Sequence, residues 1–185
     1  MANKYRKIDF RLQKELLIIV GVLFLMLILT IILSAPTKSE KFVSKWQTAG
    51  SSITSAELFE EVSAEKLEKV ISSGDKVFVL FVTAQAGDDL TLFNQVLSQA
   101  EKYNVTKVYI LDSADYQGDR EDDPELDTKL HNLEEKFGVD LDNIPTLWLA
   151  QGNTVTQMSN KVHEKNGDYT QAVKDILVLN LPSKQ

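Results

Sequence analysis

The hydrophobic positions of this chain fall into blocks of different period, and each block predicts its own element. Leu16 to Leu33 is apolar on every face, and no charged residue occurs between Leu16 and Thr37. A helix needs about 20 such residues to cross a ~30 Å hydrocarbon layer, and only a helix satisfies its own backbone there. The block predicts one transmembrane helix. Val77 to Val82 is a run of six apolar residues without alternation, which predicts a central strand buried on both faces. A polar loop, Ala84 to Asp89, follows it. Leu90, Phe93, Val96, Leu97, Ala100 and Tyr103 then form an apolar helical stripe. Lys107 to Leu111 reads as a second strand. Leu126, Leu130, Leu133 and Phe137 recur every three or four residues, between Pro124, suited to a first helical turn, and Gly138, suited to a stop. Leu147–Ala150 and Thr154–Met158 flank the turn Gln151-Gly-Asn153 and must pair antiparallel across it. A last helix covers about Asp168 to Leu179.

The stretch before Val77 is less regular. Residues 36–53 are rich in Ser, Thr, Lys and Gly and predict a juxtamembrane linker. Phe42, Val43 and Trp46 interrupt it, and two readings stand side by side: the start of an edge strand, or side chains at the lipid interface, where Trp is favoured. Thr54-Ser-Ala-Glu57 has the spacing of a capping box and predicts a helix carrying Leu58, Phe59 and Val62. A second helix is expected over Ala64–Ser73, with Leu67, Val70 and Ile71 on one face. The chain thus divides into a basic tail (1–15), a transmembrane anchor (16–35), a linker (36–53) and a domain (54–185) of order β-α-β-α-β-β-α. The expected fold class is an α/β sandwich around a mixed sheet.

Charge adds a direction. Of 20 Lys and Arg and 27 Asp and Glu, residues 1–35 hold five and two, leaving 15 basic against 25 acidic in 36–185, a net −10. So acidic a body argues against a nucleic-acid partner, which needs a basic face. Lys4, Arg6, Lys7, Arg11 and Lys14 precede the apolar run. The positive-inside tendency places the N-terminus in the cytoplasm and the domain outside, in a single-pass membrane protein. The competing reading is a cleaved signal peptide. Its apolar region is usually shorter, about 7–15 residues, and Pro36 after Leu33-Ser34-Ala35 disfavours cleavage. Gly21 has no small partner four residues away, so a Gly-xxx-Gly dimer motif is absent.

The candidate chemistry is sparse. There is no cysteine, which removes disulfides, thiolate metal sites and thiol nucleophiles. Asp88-Asp89 begins a helix, where carboxylates complement free N–H groups; a paired-carboxylate site there lacks a third partner. Asp112, Asp115, Asp119, Glu121, Asp122, Asp123, Glu125 and Asp127 form an acidic loop without the EF-hand spacing. His131 and His163 belong to no metal-binding pattern, and no Gly-x-Ser-x-Gly elbow occurs. No residue pattern points to a catalytic side chain, a metal or a cofactor.

The element order, with Val79-Leu-Phe81 before the corner, Phe137-Gly-Val139, Ile144-Pro-Thr146 entering a strand and the Gly152-Asn turn, resembles the thioredoxin fold over residues 54–181. More narrowly it resembles the membrane-anchored thioredoxin-like proteins of Gram-positive bacteria, including bacteriocin-transport accessory proteins. Where that family carries Cys-x-x-Cys, this chain has Ala86-Gly87-Asp88-Asp89, and Gln85 and Leu80 stand where a Trp and a buried acid are usual. Thiol–disulfide exchange needs a thiolate, so oxidoreductase activity is excluded. Pro145 matches the family's cis-proline, which contacts extended substrates. The resemblance implies a non-catalytic protein- or peptide-binding module of the bacterial cell envelope, with Ala86, Gly87, Asp88, Asp89, Ile144, Pro145 and Thr146 as its surface. The alternative is a structural subunit of a secretion or envelope complex whose anchor helix, Leu16–Leu33, makes the specific contacts.

Overall fold

The structure, a computed structural model, describes residues 10–118, 121–142, 144–152, 154–158 and 168–181. It divides into two units, Met1–Thr37 and Lys38–Gln185. The first holds one helix, α1 (Phe10–Ser34). Its segment Lys14–Ser34, 21 residues, is long and apolar enough to cross a membrane, and its side chains are exposed throughout. By length and composition the same segment also fits a signal sequence.

The second unit contains α2 (Lys38–Thr48), β1 (Phe59–Glu61), α3 (Ala64–Ile71), β2 (Lys76–Val82), α4 (Asp88–Gln99), β3 (Val108–Asp112), α5 (Pro124–Phe137), β4 (Thr146–Gln151), β5 (Thr154–Gln157) and α6 (Thr170–Leu177). The five strands form one sheet in the order β1-β3-β2-β4-β5. β1, β3 and β2 run parallel, and β4 and β5 are antiparallel to their neighbours.

The unbroken apolar run of β2 has the cause expected of it. Successive side chains point to opposite faces, and both faces are covered. Phe78, Leu80 and Val82 enter one core, with Leu147 and Leu149 of β4 and Val108 and Ile110 of β3. Val77, Val79 and Phe81 enter the other, with Trp148 and Ala150 of β4 and Leu111 of β3. α2, α4 and α6 cover the first face through Phe42 and Trp46, through Leu92, Phe93 and Val96, and through Val173, Ile176 and Leu177. α3 and α5 cover the second through Leu67 and through Leu126, Leu130, Leu133 and Phe137. The result is a mixed sheet between two helical layers, with a thioredoxin-like order and direction of strands.

Three expectations change. Residues 38–48 of the expected linker are helical, and Phe42 and Trp46 are buried rather than on an edge strand or at a lipid interface. Four residues apart, the two rings share a helix face. The Trp46 indole stacks on Phe93 with centroids 3.7 Å apart and planes 8° apart, and Ile53 is buried beyond it. Thr54–Glu57 starts no helix. The Ser55 hydroxyl accepts from the Glu57 N–H at 3.2 Å in a local turn, and Phe59–Glu61 pairs parallel with β3, Phe59 opposite Val108. An unfilled edge of β3 competes successfully with the local capping signal. Finally, Gly87 is the N-cap of α4, with φ 108°, and no side chain caps that end by a hydrogen bond.

Candidate functional site

The parallel strands β2 and β3 end on the same side of the sheet, and antiparallel β4 begins there. Phe81 faces Thr146 across one ladder, and Val82 faces Asp112 across the other. Topology therefore brings the corner 84–89, the turn after β3 and the 144–146 segment to one end of the sheet. This is the end at which open α/β sheets expose their loops for binding.

At the corner, Gln85, Ala86, Gly87 and Asp88 are exposed, whereas Asp89 is only 6% exposed. Gly87 takes a positive φ, a conformation most residues reach only with strain, and its carbonyl accepts from both the N–H and the hydroxyl of Thr91, at 3.0 and 2.9 Å. Asp89 turns away from the helix end. Its Oδ1 accepts the backbone N–H of Thr83 at 2.7 Å, and the Ser113 hydroxyl approaches the same oxygen at 3.5 Å. Its Oδ2 accepts from Gln85 Nε2 at 3.2 Å. Gln117 Nε2 donates to Ser113 Oγ at 3.0 Å. The carboxylate at the last position of Ala86-Gly87-Asp88-Asp89 thus ties the end of β2, the turn after β3 and α4 together. Its expected part in capping the helix falls to a different task, because a strand-end N–H is the nearer donor.

Asp88 has its own partner. Tyr169, fully buried beside the start of α6, is hydrogen-bonded to it. Burial, and then the neighbouring carboxylates of Asp88 and Asp89, push the phenol's pKa well up. Across the sheet end, the Ile144–Pro145 bond is cis. Pro145 and Thr146 are buried and Ile144 is half-buried. Thr146 Oγ1 accepts from Gln157 Nε2 at 3.2 Å. Leu80 lies wholly within the apolar core.

A second polar group lies nearby. Lys45 of α2 reaches Glu61 at the end of β1 (2.9 Å) and Asp112 at the end of β3 (2.6 Å). Burial works against the Asp112 carboxylate, but the Lys45 ammonium, the Ala114 N–H and the Thr83 hydroxyl outweigh it and hold its pKa below the ordinary value. Burial likewise opposes the Lys45 charge, and the two carboxylates overcome it and raise its pKa.

The acidic loop is largely employed in structure. Asp112 belongs to that ion pair. Asp123 caps α5, accepting from the N–H groups of Glu125 and Leu126 at 3.0 and 3.1 Å. Glu125 pairs with Lys129 one turn on. Asp119 and His163 lie outside the described residues. His131 is exposed on α5, 4.0 Å from Glu134. The carboxylates of Glu134, Asp140 and Asp142 lie within 4.8 Å of one another, but Glu134 accepts the Leu141 N–H and Asp140 accepts the Asp142 N–H.

Thr83, Ser113 and Gln117 were not among the residues singled out from the sequence, and Tyr169 was expected only as an inward-facing residue of the last helix, which it is. Only their place in the fold gives them a role, since each meets Asp88 or Asp89, or a partner of theirs, from a separate segment.

No protein-family model and no curated protein sequence matches the chain. Among solved structures it is similar to the thioredoxin of Trypanosoma brucei brucei, with 14% identity over 64% of this chain and 90% of that one and a TM-score of 0.40. It is also similar to thioredoxin f of the spinach chloroplast (17%, 64% and 95%, 0.39) and to mitochondrial thioredoxin 3 of Saccharomyces cerevisiae (11%, 71% and 99%, 0.37). The fold rests on the strand order and directions described above. With no cysteine in the chain, dithiol exchange has no nucleophile here.

Proposed function

We propose that this chain is a membrane-anchored, extracytoplasmic thioredoxin-like module that binds a protein or an extended peptide at the cell envelope, without redox chemistry. The observation that carries the reading is the corner itself. The exposed surface Gln85–Asp88 stands at the same end of the sheet as Ile144–Thr146, while a buried carboxylate, Asp89, holds the frame beneath it. An exposed surface on such a frame, with no thiol for dithiol exchange, is suited to recognition. The basic residues before α1 support an N-terminus in the cytoplasm, and the resemblance to bacteriocin-transport accessory proteins supports the envelope setting. In this reading α1 anchors the chain in lipid, and Ala86, Gly87, Asp88, Asp89, Ile144, Pro145 and Thr146 form or support the binding surface.

The test compares two changes in cells that depend on the protein. Exchanging Lys14–Ser34 for an unrelated apolar helix should leave activity intact, and Gln85→Arg with Ala86→Arg should abolish it while the protein remains folded. The reverse result would transfer the specific contacts to the anchor, as in a structural subunit of a secretion or envelope complex.

A further inference from the structure

A groove of about 600 Å³ runs between α2 and the edge strand β1. Its floor is apolar, from Phe42 and Phe59, and its rim carries five lysines: Lys38, Lys41, Lys45, Lys66 and Lys107. In a domain with a net charge of −10 over 36–185, a groove whose five lysines outnumber its three lining glutamates stands out. Its charges are not all neutralised internally. Lys45 is held by Glu61 and Asp112. Lys66 and Lys107 share the single carboxylate of Glu60. Lys38 and Lys41 have no ion-pair partner among the described residues, and Glu57 is the one further acid on the rim.

The helix explains the arrangement. Lys38, Lys41 and Lys45 are spaced by three and four residues and so form one stripe. That stripe flanks Phe42 and Trp46, which are buried. Packing of the two aromatics against Phe93 therefore fixes where the lysines stand. The unpaired ones, Lys38 and Lys41, lie in the first turn of α2. Only residues 35–37 separate that turn from Ser34, the last residue of α1. Four residue steps extend to about 14 Å at most, so the covalent chain holds this turn near wherever α1 ends.

We infer that the α2–β1 groove binds the phosphate headgroup of an anionic phospholipid, in the leaflet from which α1 emerges. Lysines next to a membrane span are attracted to anionic lipid, and the attraction decays within a Debye length. The groove gathers that attraction onto one concave face of the domain. It also counters the repulsion that the acidic body would otherwise meet at an anionic surface. This inference rests on α1 being a membrane anchor.

The chain contains no cysteine, so a single Ser39→Cys substitution gives a unique label at an exposed groove residue. The full-length protein carries a polarity-sensitive fluorophore there and is placed in nanodiscs of phosphatidylcholine alone, or of equal parts phosphatidylcholine and phosphatidylglycerol. The emission should shift to the blue only with phosphatidylglycerol. The shift should shrink as salt is raised and vanish in the Lys38→Glu, Lys41→Glu double variant, whose tryptophan emission reports that the domain is still folded. Equal emission in the two lipids, or a shift that survives the double variant, overturns the inference. So does the same shift produced by inorganic phosphate in neutral nanodiscs, which would mark a general phosphate site. Failure of the protein to stay with the nanodiscs, or to resist alkaline extraction from membranes, overturns the anchor reading itself and is seen separately.

Discussion

At the residue scale, the corner is governed by one side chain. Asp89 is buried and accepts the Thr83 N–H at 2.7 Å and the Gln85 amide at 3.2 Å. Leaving buried donors unpaired costs about 1–3 kcal/mol. Asp89→Ala should therefore lower unfolding free energy in urea by about 2 kcal/mol, whereas Gln85→Ala, at an exposed site, should stay within about 0.5 kcal/mol. The sequence placed Asp89 at a helix start and on the candidate surface, but not against the end of β2. A carboxylate there has helix N–H groups and the end of β2 within reach, and only the folded corner decides between them.

The Lys45–Asp112 pair gives a pH dependence with a definite sign. Asp112 has a folded pKa below its ordinary value of 3.8. Its contribution is thus present above that value and is lost as the pH falls through the lowered one. Lys45 is raised above 10.5, so its contribution is present below that value and is lost as the pH rises through the raised one. Between these limits the pair stabilises the junction of α2, β1 and β3. Urea titrations at a series of pH values should show Asp112→Asn to be destabilising at neutral pH, with the difference from the parent narrowing toward strong acid. An unchanged difference in acid would contradict the assignment. The Tyr169 phenol, raised by burial and by Asp88, should ionise later than an ordinary tyrosine when followed by near-ultraviolet absorbance. Asp88→Asn should bring its titration down.

At the scale of elements, most were legible in the sequence, the short β3, β5 and α3 included, and α2 and β1 were not. β2, α4, α5 and the β4–β5 pair follow from local spacing alone. α2 was hidden by its composition, since Ser, Thr and Lys outnumber its two aromatics; the four-residue spacing of Phe42 and Trp46 was the available signal. β1 is three residues long and takes its partner, β3, from almost 50 positions away, which no local pattern encodes. The consequence is a domain boundary at Lys38 rather than residue 54. A fragment starting at residue 54 loses Phe42, Trp46 and Ile53 from the core, and truncating a single large buried aromatic already costs about 3–5 kcal/mol. Calorimetry should show a cooperative transition for a fragment beginning at Lys38 and a much weakened or absent one for a fragment beginning at residue 54. The two tryptophans, 1% and 0% exposed, should emit in the blue when the domain is folded and shift red together on unfolding.

At the scale of the molecule, two units of opposite character share one chain. α1 exposes apolar side chains from Leu16 to Leu33, none of them buried among the described residues, while the second unit carries the acidic excess and a double-faced core. The fold was readable because β2 and the Pro145 segment are written in local sequence. The corner was readable only as a location, because its frame draws Thr83, Ser113 and Tyr169 from three separate segments. An anchored chain should remain with membranes after alkaline carbonate washing and release the second unit to protease from the outer side only.

The central claim is that the corner recognises a partner and does not react. Its most direct measurement is photocrosslinking in intact cells, with the crosslinking residue placed at Ala86 in the full-length chain and, as a control, at the exposed Glu135 of α5. A discrete adduct from Ala86, absent from Glu135 and lost when Gln85 is changed to Arg, is the expected result. No adduct at Ala86, or the same adducts from both positions, would contradict the account.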